Sequence, residues 1–316
     1  MKRLRGDRRG IIGAILAAIV ILIVIIVVAA LLLIPFRSIP VDESREAAIE
    51  QGVEALQLNV DVDVGEVTVR FVDDSDVAVA LDVTGNQRSG LLGSQEPVNI
   101  TWEERTEGDT LFVNADITLG GSLIPFFSSD IKCTILVSKQ LRTALDVSAG
   151  VGGMDMEASD GAFLTSMGLS VSTGGLRATM TDNVTLDGPM TMEASTGGVE
   201  LTWSNVVVGS NASVALSTST GGVRATVDQT EGLGSNLTFS ATASTGGVDL
   251  RMNLAGNTSA HVMTSTSVGG VSVEERAGFN GTDRDLRSEN YASDSNFEVT
   301  LNTNTGGVSL RLRYAA

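Results

Sequence analysis

The chain has 316 residues, of which 42% are hydrophobic but only 4% aromatic, with 35 glycines and a formal net charge of −17. Six of the 21 basic residues (Lys2, Arg3, Arg5, Arg8, Arg9 and Arg37) stand at or before Arg37 against the single acid Asp7, which leaves 15 basic against 37 acidic residues in the rest. A surface that acidic argues against a nucleic-acid partner, and one cysteine (Cys133) with one histidine (His261) leaves no intrachain disulfide and few means of building a His or Cys metal centre or a Ser-His-Asp triad. No cofactor, no metal and no enzymatic activity is expected.

In chain order, residues 1–10 form a basic segment predicted to be cytoplasmic. Ile11–Ile34 is apolar without one charge, and at about 1.5 Å per residue it reaches across a bilayer, so a transmembrane helix is predicted over 11–35. The basic flank places the N-terminus inside and the C-terminal domain outside the cell. A cleaved secretory signal would have a shorter apolar region ending in a small-residue site. A second reading of the same stretch stays open. Arg8-Arg9-Gly10 ahead of an Ile/Val/Ala helix resembles the class III signal of archaeal type IV pilins and archaellins, which implies cleavage after Gly10 and a filament subunit; the acidic residue usual early in the mature helix is missing.

Residues 36–55 read as a stalk, with SREAAIEQ (Ser44–Gln51) as one or two helical turns. A β domain is predicted over 56–316. Its first strands are LQLNVDVD, VTVRF after Gly65 and DVAVALDV, followed by a turn-rich loop, strands at Val98–Trp102 and Thr110–Leu119, and a second loop. In that second loop Phe126 and Phe127 are either anchors packed on the domain or an exposed tip. Cys133, inside the apolar run IKCTILV, reads as a small core residue.

From residue 147 to 314 one phrase keeps returning: STGGL once, STGGV three times, with SVGGV, NTGGV and an earlier Gly152-Gly153-Met154 in the same frame. The pairs are Gly152/Gly153, Gly174/Gly175, Gly197/Gly198, Gly221/Gly222, Gly246/Gly247, Gly269/Gly270 and Gly306/Gly307, at steps of 22, 23, 24, 25, 23 and 37 residues. Spacing this regular predicts stacked supersecondary units. After each pair apolar and polar residues alternate with the period of a half-buried strand. The expectation is therefore an all-β, single-chain β-solenoid (β-helix) of about seven to eight coils, with the glycines at corners that need positive φ or close backbone approach. Stacked strands would bring Asp155, Arg177, Glu200, Arg224 and Asp249 into one outward file of alternating charge. The last, longer step carries an insertion, 274–296, read as a loop on the flank that is either solvated or a partner contact.

Six N-x-S/T sequons occur, at Asn99, Asn183, Asn211, Asn236, Asn257 and Asn280. Four of them recur about once per repeat and read equally as turn residues and as glycan acceptors. A polysaccharide-cutting β-helix would need acids clustered with a Lys or Arg on one face. Lysine occurs only at Lys2, Lys132 and Lys139, and the visible charge file alternates in sign.

Four stretches together resemble a known family: LNVDVDVGEVTVRFVDDSDVAVA, ILVSKQL, LDVSAGVGGMDM and the glycine-punctuated repeats. This is the family of β-strand-repeat domains named "putative adhesins", originally catalogued as a domain of unknown function, and the resemblance runs from about Leu56 to Tyr314. Ser138 stands where that family has proline. The resemblance implies a β-helical fold and a surface or envelope location, and it supplies no catalytic residues. The reading is a single-pass, non-catalytic cell-surface protein displaying a rigid acidic rod to a surface protein or a glycan; a filament subunit and a β-helix polysaccharide-active enzyme stand as alternatives.

Overall fold

The computed structural model describes residues 37–73, 76–89, 98–119, 130–209, 212–291 and 296–315. The basic segment 1–10, the predicted span 11–35, Phe126 and Phe127 lie outside them. Among the described residues every regular element is a strand, and no helix is long enough and apolar enough to cross a membrane.

The all-β expectation holds. Because apolar residues recur at every second position, each strand has one face to bury, and the strands assemble into two sheets, of 11 and 14 strands, enclosing a shared aliphatic core. Each repeat follows one path: a strand in the 14-stranded sheet, a glycine corner, a strand in the 11-stranded sheet, then a return. Pro189–Thr196, Gly197-Gly198 and Val199–Ser204 make one such rung. From Arg142 to Ala255 successive rungs pair in parallel and in register, apart from one shift between Leu164 and Ser166. Inward residues stack on their equivalents, as in Val67, Met154, Leu176, Val199, Val223 and Val248, each no more than 2% exposed. At the centre of the row formed by Met180, Trp203, Val227 and Met252, the Trp203 ring meets Phe297 from the opposite sheet edge-on at 6.3 Å.

The single-chain solenoid of seven to eight coils does not describe the whole molecule. Both sheets are open, and three of their four margins are antiparallel where the prediction had uniform coils. Val98–Glu107 runs antiparallel to Thr110–Leu119, Val77–Ser89 to Asp130–Ser138, and Arg37–Ala48 to Val77–Ser89. Rungs also stand out of chain order. Ala55–Val64 lies between Thr110–Leu119 and Arg142–Val151, and the last rung, Asn296–Thr305 with Val308–Ala315, is inserted between its two predecessors. Periodicity could not reveal this, since rungs with equally apolar inner faces stack in any order. The stretch expected as a stalk with helical turns, SREAAIEQ, is mostly strand, paired across to Val77–Ser89, with Val41 and Ala47 buried. Arg311 and Arg313 accordingly lie on an internal strand, and Val271–Ala277 is the margin. A register shift between Val273 and Glu275 interrupts that margin, which blunts it against edge-to-edge pairing.

The insertion 274–296 is not a solvated loop. It begins within strand Val271–Ala277, and then Phe279–Thr282 and Asp285–Ser288 form a hairpin that pairs antiparallel with Ser259–Val268 and closes the end of the 14-stranded sheet. Phe279, Leu286 and Ser288 are buried beneath it, and the Ser288 Oγ accepts the Ala260 N–H at 3.0 Å. His261 pins the hairpin: its Nε2 is 3.0 Å from Asp285 Oδ1 and its Nδ1 3.1 Å from Glu298 Oε2, while the Tyr291 hydroxyl donates to the other Glu298 oxygen at 2.7 Å. That bond, with burial, pushes the Tyr291 hydroxyl above its ordinary pKa.

Glu274 on the marginal strand bonds Arg311 on its neighbour, and that bond with the guanidinium charge holds the carboxyl below its ordinary 4.5. A carboxyl lowered in the folded state stabilises it above 4.5 and loses that contribution as pH falls through the lowered value. Amide exchange of Val271–Ala277, corrected for intrinsic rates, should keep constant protection from neutral pH down to 4.5 and weaken modestly below; Arg311→Gln should shrink that acid-dependent step.

Candidate functional site

The paired glycines divide into two files with different physics. At the first of each pair φ lies between +139° and +147°, a region that L side chains avoid. A Cβ added at Gly152, Gly174, Gly197, Gly221, Gly246, Gly269 or Gly306 would stand 1.6–1.8 Å from a glycine carbonyl oxygen of the adjacent rung. The second glycines are not in the left-handed region. A Cβ would meet nothing within 4 Å at Gly175 and Gly270, would stand 3.5–3.8 Å from its nearest neighbour at Gly153, Gly198 and Gly222, and would be tighter, at 3.3 and 3.2 Å, only at Gly247 and Gly307. The expected requirement for positive φ or close approach thus holds for the first file and not for most of the second.

Corner hydrogen bonds follow the same division. The first glycine donates to the residue before the next pair, as in Gly174 N–H to the Thr196 carbonyl at 2.9 Å. The residue after the pair donates to the next second glycine, as in Leu176 N–H to the Gly198 carbonyl at 2.9 Å. Among the described residues the second glycine's own N–H donates to none of these corner bonds. Threonines upstream add side-chain bonds, Thr218 Oγ1 to the Gly197 carbonyl and Thr303 Oγ1 to the Gly306 carbonyl, at 3.0 and 3.1 Å.

The bare second glycines floor a groove of about 870 Å³ running along the corner. One wall is the charge file. Asp155 is in register with Arg177, Arg177 with Glu200, Glu200 with Arg224, and Arg224 with Asp249. Ser309 follows Asp249 and only then comes Ser272, the reverse of chain order. The charges close in pairs, Arg177 to Glu200 at 3.1 Å and Arg224 to Asp249 at 3.4 Å. These pairs are exposed, so each adds at most about 1 kcal/mol. The wall thus presents guanidinium donors and carboxylate acceptors at the rung spacing of about 4.8 Å.

A second hollow, of about 460 Å³, was missed from the sequence. Asp61, Glu103, Asp116 and Asp146 line it from four strands, two of them neighbours only because Ala55–Val64 sits out of chain order. Ser148 Oγ donates to Asp61 at 2.7 Å, and Asn59 Nδ2 to Asn114 Oδ1 at 2.8 Å. Four acids therefore share one hollow, and among the described residues no Lys, Arg or His lines it. Among the described residues no group of three or more His, Cys, Asp or Glu is arranged to hold a metal ion. Cys133 is fully buried, and burial, with Asp82 nearby, pushes its thiol up to about 12, which keeps it protonated and unreactive.

Of the sequon asparagines, Asn99, Asn183, Asn236, Asn257 and Asn280 are exposed, and Asn211 lies outside the described residues. Asn183 and Asn205 have positive φ, 58° and 46°, and their backbones bond to each other on adjacent rungs.

No protein-family model and no curated protein matches the chain. Among solved structures it is similar to a protein of Clostridium sporogenes named a putative cell adhesion protein, at 12% identity and a TM-score of 0.39 over 86% of this chain and 99% of that one. It is also similar to proteins named putative adhesins from Bacteroides fragilis (14% identity, TM-score 0.36, 87% of this chain and 97% of that one) and Parabacteroides distasonis (11%, 0.27, 86% and 97%).

Proposed function

We propose that the chain is a single-pass membrane protein that displays a rigid, acidic, solenoid-like stack of rungs outside the cell, with adhesion or envelope attachment as its work and no catalysis. The observation that carries this reading is the groove. Its floor is kept free of side chains at positions where the backbone would admit them, and its wall repeats charge rung by rung. The basic segment 1–10 and the apolar run after it support anchoring with the N-terminus inside. The partner it fits is a surface protein or glycan able to lie along the corner.

The test uses cells that produce the full chain, comparing it with a Gly175→Gln/Gly198→Gln variant, in which the groove floor is filled without a backbone clash. Equal digestion by protease added outside, with attachment to envelope material lost in the variant, is expected. Protection from external protease, or unchanged attachment, overturns the reading. The filament alternative is separated by the mature N-terminus, which would begin at Ile11. The acidic hollow supplies the acids of the enzyme alternative but not its Lys or Arg, and sugar released from envelope polysaccharide by the unaltered chain and not by Asp61→Asn/Asp146→Asn would favour that alternative.

A further inference from the structure

The path of each rung gives the stack two unlike sides. Glycine corners carry the chain from the 14-stranded to the 11-stranded sheet, and the return segments carry it back on the opposite side. The repeat-borne sequons with described positions all fall in returns. Asn183 lies between strands Leu176–Thr181 and Pro189–Thr196, Asn236 between Val223–Gln229 and Leu237–Thr245, and Asn257 between Val248–Ala255 and Ser259–Val268. The one asparagine in the corner file, Asn304, is followed by Thr305-Gly306 and is no sequon.

A left-handed backbone accounts for Asn183 and not for Asn236 or Asn257. Asn183 has left-handed φ, and its Nδ2 donates to Asp160 at 3.2 Å. Asn205, not in a sequon, does similar turn work, its Oδ1 accepting the Thr230 N–H at 2.9 Å. Asn236 and Asn257 are exposed and are not among the non-glycine residues with positive φ, so no left-handed turn demands asparagine at either place.

We propose that Asn236 and Asn257 are N-glycosylated, so that the return side of the stack is sugar-covered and the groove side bare. This rests on the reading that the domain lies outside the membrane. The donor is a lipid-linked oligosaccharide phosphate. The asparagine Nδ2 forms a bond to the anomeric carbon as the bond from that carbon to the phosphate oxygen breaks. The lipid phosphate leaves with the electron pair, and the amide gives up one proton to the base of the transferring enzyme. The groove stays accessible because the modified side chains and the charge file are on opposite sides of the core.

The experiment isolates the full chain from the membranes of its own cells, maps glycopeptides, and in parallel digests intact cells with external protease. The expected result is a glycan on the Asn236 and Asn257 peptides, one glycan mass lost with Asn236→Gln, and the same mass lost with Thr238→Ala, which removes the sequon hydroxyl and keeps the asparagine. A domain open to protease whose two peptides are unmodified overturns the glycosylation and leaves the display reading standing. A domain closed to protease and unmodified overturns both.

Discussion

Gly197→Ala should destabilise the fold by more than about 3 kcal/mol, while Gly198→Ala, one residue further on, should cost less than about 1 kcal/mol. The two substitutions add the same methyl group to adjacent positions of one corner. At Gly197 that methyl would lie 1.7 Å from the Gly174 carbonyl oxygen, at a φ of +139°, so the rung must separate from its neighbour or the backbone must leave its path. At Gly198 the nearest atom would be the Gly222 carbonyl oxygen at 3.6 Å, an ordinary contact. Replacing glycine by alanine also reduces the freedom of the unfolded chain, which offsets part of whatever strain remains there. Urea unfolding of the purified chain, with glycine and alanine variants compared at both positions, reads the difference. Similar losses at both positions would mean that the second file is structural, and the groove floor would then be a by-product of packing.

Most of the rung geometry was legible in the sequence, because the glycine pairs fix a frame and the alternation after each pair fixes which face is buried. Asp155, Arg177, Glu200, Arg224 and Asp249 could be placed in one file from spacing alone. What spacing could not supply was the order of rungs. Val248 pairs with Val308 and not with Val271, and nothing in either strand's side chains discriminates, since both offer a valine followed by Ser and a second apolar residue. The insertion was misread for a related reason. Its apolar burial rests on Phe279 and Leu286, too few to produce a period, and its attachment depends on His261, Asp285 and Glu298, which are distant in sequence. The acidic hollow was hidden the same way. Asp61 and Asp116 stand 55 residues apart yet occupy one register position.

A polar residue at an inward position was a signal that went unused, and it supports the second large effect. In strand Val223–Gln229 the inward residues are Val223, Ala225, Val227 and then Gln229, which is 1% exposed. Its Oε1 accepts the Trp203 indole N–H at 2.9 Å and the Val206 N–H at 3.2 Å, and its Nε2 donates to the Glu231 carbonyl at 3.2 Å. One side chain thus satisfies two buried donors and ties the return segment to the core. Gln229→Leu keeps the volume and removes the acceptor. It leaves both donors unpaired, at about 1–3 kcal/mol each, and should cost about 2–5 kcal/mol in all. Trp203→Phe removes one of those donors at the price of a smaller ring, so adding it to Gln229→Leu should cost less than Trp203→Phe costs alone. A coupling of at least about 1 kcal/mol in the double-mutant cycle is the expected reading. Additive losses would mean that Trp203 acts by filling space against Phe297 and that its indole N–H finds water in the variant. Coupling would instead make Gln229 the polar pin that fixes where one rung ends and the next begins, a task that no aliphatic residue at that inward position could perform.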